Sequence, residues 1–311
     1  MIRKLLAAAV TAMVLSGCGE STQAEAAGEL AVSAERADGT TSLGAGCSVA
    51  AESTALPDDI SETSGLARSQ RDPDLFWTHN DAGNDAELFG IGSNGAIRQR
   101  VLIEGPELED WEDIEAGACA SGTCLYLADI GDNDAKREHI VVYRIPEPSA
   151  GVRTVQNPAA LRARYPEGPQ DAEALIVSAE GDIYIATKGR EGPVSLYKFP
   201  RSEASEVVTL ELVGQLLDQP EEDQDRITSG TLSSDGRFVG IRSYRNLYLY
   251  DASGLFAGSA PQPQMIDLSP AGHENGEALV IGADGSVWVT SEAGGKDSSP
   301  EWARLQCALG D

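Results

Sequence analysis

Histidine, positive charge and long apolar runs are all scarce in this sequence. The three histidines, His79, His139 and His273, lie far apart along the chain, which argues against a zinc centre. His139 and His273 read as surface residues. G-x-S-x-G, H-E-x-x-H, G-x-x-x-x-G-K-S/T and C-x-x-C are all absent, which removes the usual signs of a serine-hydrolase elbow, a zincin, a P-loop and a dithiol redox centre. Only 23 Lys and Arg face 50 Asp and Glu, a net charge of −27. Nucleic acid and anionic surfaces are therefore poor partners, while cationic ligands, metal ions and basic polymers fit; the same charge also serves solubility. Beyond the first residues no apolar run approaches the ~20 residues of a membrane helix. Helical periodicity is nearly absent, with PAALRARY (158–165) readable as either helix or strand.

What is present begins with MIRKLLAAAVTAMVLSGC. Arg3 and Lys4 precede an apolar stretch too short to span a bilayer, and Leu15-Ser16-Gly17-Cys18 stands where that stretch ends. This resembles a bacterial lipoprotein signal; the alternative is an ordinary secretory peptide with an incidental cysteine. The resemblance implies cleavage before Cys18, diacylglycerol on its thiol, and a place in the cell envelope on the extracytoplasmic side of a membrane, touched only through the lipid. The division is then 1–17 signal peptide, 18–46 lipidated cysteine and tether, and 47–311 folded domain. Loss of residues 1–17 leaves 21 Lys and Arg against 50 Asp and Glu, net −29. Residues 19–46 are rich in Ala, Gly, Ser, Thr and Glu and lack aromatics, a flexible composition reaching roughly 30 Å.

Four cysteines remain beside Cys18, which suits an exported chain and allows three pairings. Cys119 and Cys124 flank the turn-like ASGT ahead of LYLAD, so a hairpin staple is expected. Cys47 and Cys307 then pair, one near each end of the folded region. The rest of the chain consists of short β-branched or aromatic runs between Gly, Asp, Asn and Pro, an all-β pattern.

Sliding the sequence over itself aligns SETSGLARS (61–69), EDWEDIEAG (109–117), QDAEALIVS (170–178), RITSGTLSS (226–234) and ENGEALVIG (274–282). A second strand-like run follows each (LFWTHND, LYLADIGDN, IYIATKG, FVGIRSY, VWVTSEA), then a third, and in the first four a more variable fourth. Three strands and an outer fourth at intervals of roughly 47 to 61 residues indicate a β-propeller of five four-stranded blades, with six as the alternative. The last repeat lacks a fourth strand, and GCSVAAEST at the start of the fold is unpaired. If that N-terminal strand completes the last blade, the Cys47–Cys307 disulfide closes the ring and removes an exposed edge.

First strands of propeller blades line the central channel. In register, Ser64, Glu112, Glu173, Gly230 and Glu277 form one layer, with Glu62, Asp110, Asp171, Thr228 and Asn275 two residues earlier on the same face. Carboxylates this crowded must be neutralised or solvated. Calcium, which takes six to eight oxygen ligands, is the candidate ion, with Asp110, Glu112, Asp171, Glu173, Asn275 and Glu277 as ligands. Alternatively the acids bond to backbone amides of adjacent blades. The second strands end in a polar set, His79, Asn80, Asp81, Asp129, Asp132, Asn133, Thr187, Lys188, Arg242, Tyr244, Ser291 and Glu292, readable as a ligand-binding mouth or as turn chemistry.

SGLARS, FWTHNDAG, DWEDIEAG, LADIGDN, DAEAL and GEAL together resemble a group of exported bacterial β-propeller proteins, most without an assigned function, over residues 58–307. In architecture alone the chain is similar to calcium-dependent propeller lactonases and propeller phytases. The resemblance implies a propeller and leaves its activity open. The leading reading is a monomeric, lipid-anchored module that binds a polar ligand or an envelope protein. A second is a metal-dependent hydrolase of a lactone, ester or phosphoester, with His79 or Asp129 as base. A third is an envelope scaffold.

Overall fold

The structure, a computed structural model, describes residues 42–44, 46–81, 83–106, 108–120, 122–201, 206–259, 262–268, 275–293 and 299–309. The expected signal peptide, Cys18, most of the expected tether and His273 lie outside the described residues. The described residues form five sheets around one axis, the five blades expected from the repeats, each built on four antiparallel strands. From the axis outward, blade 1 holds Thr63–Arg68, Leu75–Asn80, Glu87–Gly92 and Ile97–Glu104, and blade 2 holds Trp111–Cys119, Gly122–Asp129, Ile140–Pro146 and Ala159–Arg164. Blade 3 holds Ala172–Val177, Ile183–Thr187, Val194–Phe199 and Glu211–Leu217; blade 4 holds Ile227–Leu232, Phe238–Ser243, Asn246–Asp251 and Gln264–Asp267. Blade 5 holds Gly276–Ile281, Ser286–Ser291 and Glu301–Cys307, and its fourth strand is Cys47–Ala55 from the start of the fold. The ambiguous PAALRARY is thus a strand.

Side-chain chemistry follows position in the blade. The innermost AEALIV is buried at every residue, because both of its faces meet other blades, whereas the outer IRQRVLIE alternates between buried and exposed. Blade-to-blade cores carry most of the apolar burial. Trp77, Leu88 and Val101 of blade 1 pack on Leu125, Leu127 and Tyr143 of blade 2, and Phe76 and Ile91 of blade 1 pack on Ala278, Val280 and Trp302 of blade 5. Each such side chain contributes about 1.5–3 kcal/mol on leaving water. Where inner strands approach most closely, a side chain does not fit: a Cβ on Gly65 would lie 2.5 Å from the Ile114 nitrogen.

Three sheets gain a fifth strand. Thr154–Gln156, within the blade 2 sequence, pairs in parallel with the outer strand of blade 1, and Val207–Thr209, within blade 3, does the same for blade 2. Each connection so caps the edge of the preceding blade. The third is Ser42–Gly44, placed in the tether from sequence, which pairs with the strand starting at Cys47.

Ring closure is as expected: Cys47 stands opposite Cys307 and is bonded to it, and Cys119 is bonded to Cys124. The two bridges span separations of 260 and 5 residues. In the chain-entropy account, loops of these lengths contribute roughly 5 and roughly 2 kcal/mol. Replacing Cys47 and Cys307 by Ala should therefore lower the urea midpoint by more than twice as much as replacing Cys119 and Cys124; equal losses would count against closure by the first bridge.

Candidate functional site at the channel mouth

All five inner strands begin with the same irregularity, a register shift against the second strand at Thr63/Leu66, Trp111/Asp113, Ala172/Ala174, Ile227/Ser229 and Gly276/Leu279. Aligned on it, the first layer is Ser64, Glu112, Glu173, Thr228 and Glu277. Thr228 replaces the expected Gly230, and the layer above has Arg226 in place of Thr228. The hydrogen bonds agree: Ser64 Oγ donates to the Glu112 carbonyl at 2.6 Å and Thr228 Oγ1 to the Glu277 carbonyl at 2.8 Å, the same bond to the next blade. Gly230 lies deeper.

A bulge also breaks strict alternation, so consecutive residues can face one side. Ile114 pack into the core of blades 1 and 2, which turns Asp113 and Glu115 toward the axis. Alternation counted from Glu112 misses both. The Asp113 carboxylate is fully buried and accepts from the amides of Ile114 (2.9 Å), Leu175 (2.9 Å) and Gly230 (3.1 Å) and from Ser229 Oγ (3.3 Å), joining blades 2, 3 and 4. Burial pushes its pKa up and these amides hold it back. One level lower, Glu115 accepts from Ala116 (3.0 Å) and Leu232 (3.3 Å); burial raises its pKa to about 8. Glu115 floors a cavity of about 640 Å³ at the lower mouth, whose wall includes Ala118, Ala179 and Ser233.

At the upper mouth the proposed ligands divide into separate groups. Asp81, Asp110 and Glu112 converge, with one oxygen of each within 4.8 Å of the others. Burial and the charges of Asp81 and its neighbours push Glu112 well up and Asp110 to about 6. Gly131 lies directly against them: a Cβ there would stand 2.2 Å from Glu112 Oε1 and 2.5 Å from Asp110 Oδ2. Glu173, by contrast, is ion-paired with the buried Lys188, whose ammonium also opposes the upward shifts of Glu112, Glu277 and Glu292. An internal cation thus serves the ring of glutamates. Asp171 is held by Arg190 at 3.0 Å and by the Asp132 amide at 2.9 Å, the backbone role considered above for these acids. Asn275 receives the Glu292 amide on its carbonyl.

The second-strand residues divide in the same way. Asp81, Asn133, Lys188 and Glu292 join the mouth; Asn133 donates to Asp110 Oδ2 at 3.3 Å and accepts from Arg190. Tyr244, placed in this set from the sequence, belongs there as well, its phenol pKa raised by burial and then by Glu277, Glu292 and Glu112. Asn80 bonds the Asp59 carbonyl and the Glu62 amide, and Asp132 caps the turn at Lys136 and Arg137. Asp129 accepts from Arg137 (2.8 Å) and the amides of Glu109 and Asp110. His79 is fully buried, 4.1 Å from the Trp111 ring centroid, and burial lowers its pKa to about 4. Arg242 is buried against blade 5 on the Ala278 and Thr290 carbonyls. His79, Asp129 and Arg242 are therefore packed into the walls.

No protein-family model matches the sequence, and no curated protein matches it. Solved structures similar to it include the PQQ-bound aldose sugar dehydrogenase of Streptomyces coelicolor, 11% identical, covering 85% of this chain and 99% of that one at a TM-score of 0.47. A candidate gluconolactonase is 12% identical over 83% and 94%, TM-score 0.43. Virginiamycin B lyase of Staphylococcus aureus, as an inactive variant with quinupristin, is 8% identical over 82% and 98%, TM-score 0.42. No function follows from similarity at this level. What the coordinates define is a class: a five-bladed propeller with an acidic upper mouth.

The buried acids reverse the usual response to mild acid. A carboxyl with a raised folded pKa favours the fold below its unfolded pKa, and that stability is lost as pH rises toward the folded value. Glu115 should thus add about 2 kcal/mol as pH falls from 9 to 6.5. His79, with a lowered pKa, has its full contribution above 6.5 and loses it toward 4. The melting temperature should rise as pH falls from 9 to 6.5, below which His79 offsets the gain from Glu115, and Glu115→Gln should flatten the alkaline limb.

Proposed function

We propose that this protein is a lipid-anchored envelope module that binds calcium, or a hard divalent cation like it, on Asp81, Asp110 and Glu112 and so engages a polar ligand or partner. The convergence of three carboxylates from two blades is the observation that carries this reading. The donors suit a hard cation: all are oxygens, and Glu112 is buried while Asp81 and Asp110 are partly open. Gly131 supports it as well, since a Cβ at that position would push the Glu112 and Asp110 carboxylates from their present places. Three carboxylates supply part of a six- to eight-oxygen shell, leaving the remainder to water or to an oxygen-bearing ligand. Lipidation of Cys18 and the extracytoplasmic location rest on the N-terminal motif.

Binding is favoured over hydrolysis by where the candidate bases stand. His79 is walled in against Trp111, and both oxygens of Asp129 are committed to Arg137 and backbone amides. Neither side chain reaches the open mouth to take a proton from a substrate or a water.

Calorimetric titration of calcium into the metal-stripped protein should show one saturable site, lost in Asp81→Asn and Glu112→Gln. At a hundred times Kd the ion should add about 2.7 kcal/mol of stability. An unchanged titration in both variants, or no heat and no thermal shift in the wild type, would sink the reading. Lys188→Met, which strips the ring of its own ammonium, should lower stability without calcium and steepen the response to it.

A further inference from the structure

A second site follows from arginines that lack a close carboxylate. In this protein, with two acids for every base, guanidinium groups commonly close on a carboxylate: Arg100–Asp59 at 2.6 Å, Arg201–Asp182, Arg237–Asp235 and Arg245–Asp225 at 2.7 Å. Around one cavity of about 370 Å³ between blades 1 and 2, remote from the acidic mouth, they do not. Arg71, Arg98 and Arg153 line it together. Arg98 stands 3.6 Å from Asp72, and Arg71 is 3.9 Å from Glu147, bonding instead to Thr123 Oγ1 at 3.2 Å. Arg153 is exposed and has no ion pair or side-chain hydrogen bond among the described residues.

The local charge is less compensated than a count suggests. Glu147 is buried, and its carboxylate already accepts from Ser69 Oγ, from Trp77 Nε1 at 3.2 Å and from Thr123 Oγ1 at 3.1 Å. Those bonds leave it little capacity to serve Arg71. The far wall is the turn 148–151, pinned by Gln99 Nε2 on the Ser149 and Val152 carbonyls at 3.1 and 2.9 Å. Gly151 adopts a φ of +87° there, which suits glycine.

The three guanidinium groups come from three segments: the loop after the inner strand of blade 1, the start of its outer strand, and the residue preceding Thr154–Gln156. A carboxylate offers two coplanar oxygens, which one guanidinium satisfies. Three arginines brought to one cavity from three segments suit a tetrahedral anion with three or four oxygens. We propose that this cavity, lined by Arg71, Arg98 and Arg153, binds a phosphate group carried by a small organic molecule or a lipid. The cavity has room for the organic part. This site is independent of the cation site at the upper mouth.

The test is a titration of the full chain with inorganic phosphate and with glycerol phosphate at low salt, followed by amide NMR shifts. Saturable binding is expected at millimolar concentration or tighter, weakened about tenfold by Arg153→Ala and again by Arg98→Ala. Arg201→Ala, outside the cavity, should bind as the wild type does. Both Arg153 and Arg201 are exposed, so loss of fold does not confuse the comparison. Phosphatidylglycerol vesicles that compete with glycerol phosphate would assign the phosphate to a lipid headgroup, and vesicles that do not compete would assign it to a soluble ester; both support the proposal. Absence of saturation at about 50 mM phosphate, or an Arg153→Ala protein that binds as the wild type does, would overturn it.

Discussion

The ring is held at its centre by one carboxylate without a counter-ion. Five inner strands that converge on an axis turn backbone amides toward a space too narrow to be treated as bulk water, and such donors need partners. Asp113 meets this need for three blades at once, taking amides from its own strand, from Leu175 and from Gly230. Glu115 repeats the arrangement one level lower between blades 2 and 4. An apolar residue at Asp113 would leave those amides orphaned in the least hydrated part of the molecule, at a cost of about 1–3 kcal/mol each. The acids of the DWEDIEAG segment thus belong first to the architecture.

Once the axis is fixed, the acids above it have nowhere to spread. Glu112, Glu173 and Glu277 share a level, and Asp81, Asp110 and Glu292 crowd the mouth. The fold relieves this in two ways. Lys188 brings an ammonium against Glu173 and within electrostatic reach of Glu112, Glu277 and Glu292, while Arg190 holds Asp171. What is left over is the side of the mouth nearest blades 1 and 2, where Asp81, Asp110 and Glu112 face one another and where burial and mutual repulsion raise two of their pKa values. The proposed cation site is that cluster, because crowded carboxylates whose pKa values are raised at an open mouth favour a bound cation.

Closure and edge protection use the same device at different places: a strand borrowed from elsewhere in the chain. Cys47–Ala55 completes blade 5 from the opposite end of the fold, and Thr154–Gln156 and Val207–Thr209 cover the rims of blades 1 and 2. Each borrowed strand ties neighbouring or terminal segments together, so that blades too small to bury their faces alone form one cooperative ring. The connection that ends in Thr154–Gln156 also carries Arg153 to the cavity between blades 1 and 2, so the joint that covers an edge also shapes a pocket.

Sequence alone pointed to a five-bladed ring, with six blades as the alternative, to its borrowed closing strand and to both disulfides, because repeats, turn residues and cysteine positions are signals that do not depend on packing. It also marked the acids of the channel as a group. It could not rank them. The register of RITSG, read two residues out of place, and the bulge that turns Asp113 and Glu115 to the axis depend on hydrogen bonds between strands. The ammonium of Lys188 inside the glutamate ring, the packing of His79 against Trp111 and the capture of Asp129 by Arg137 depend on which side chains meet in the folded ring. A repeat pattern specifies that residues lie at one level of a ring; whether a charge at that level is answered by an amide or by a neighbouring cation is decided only by packing in three dimensions.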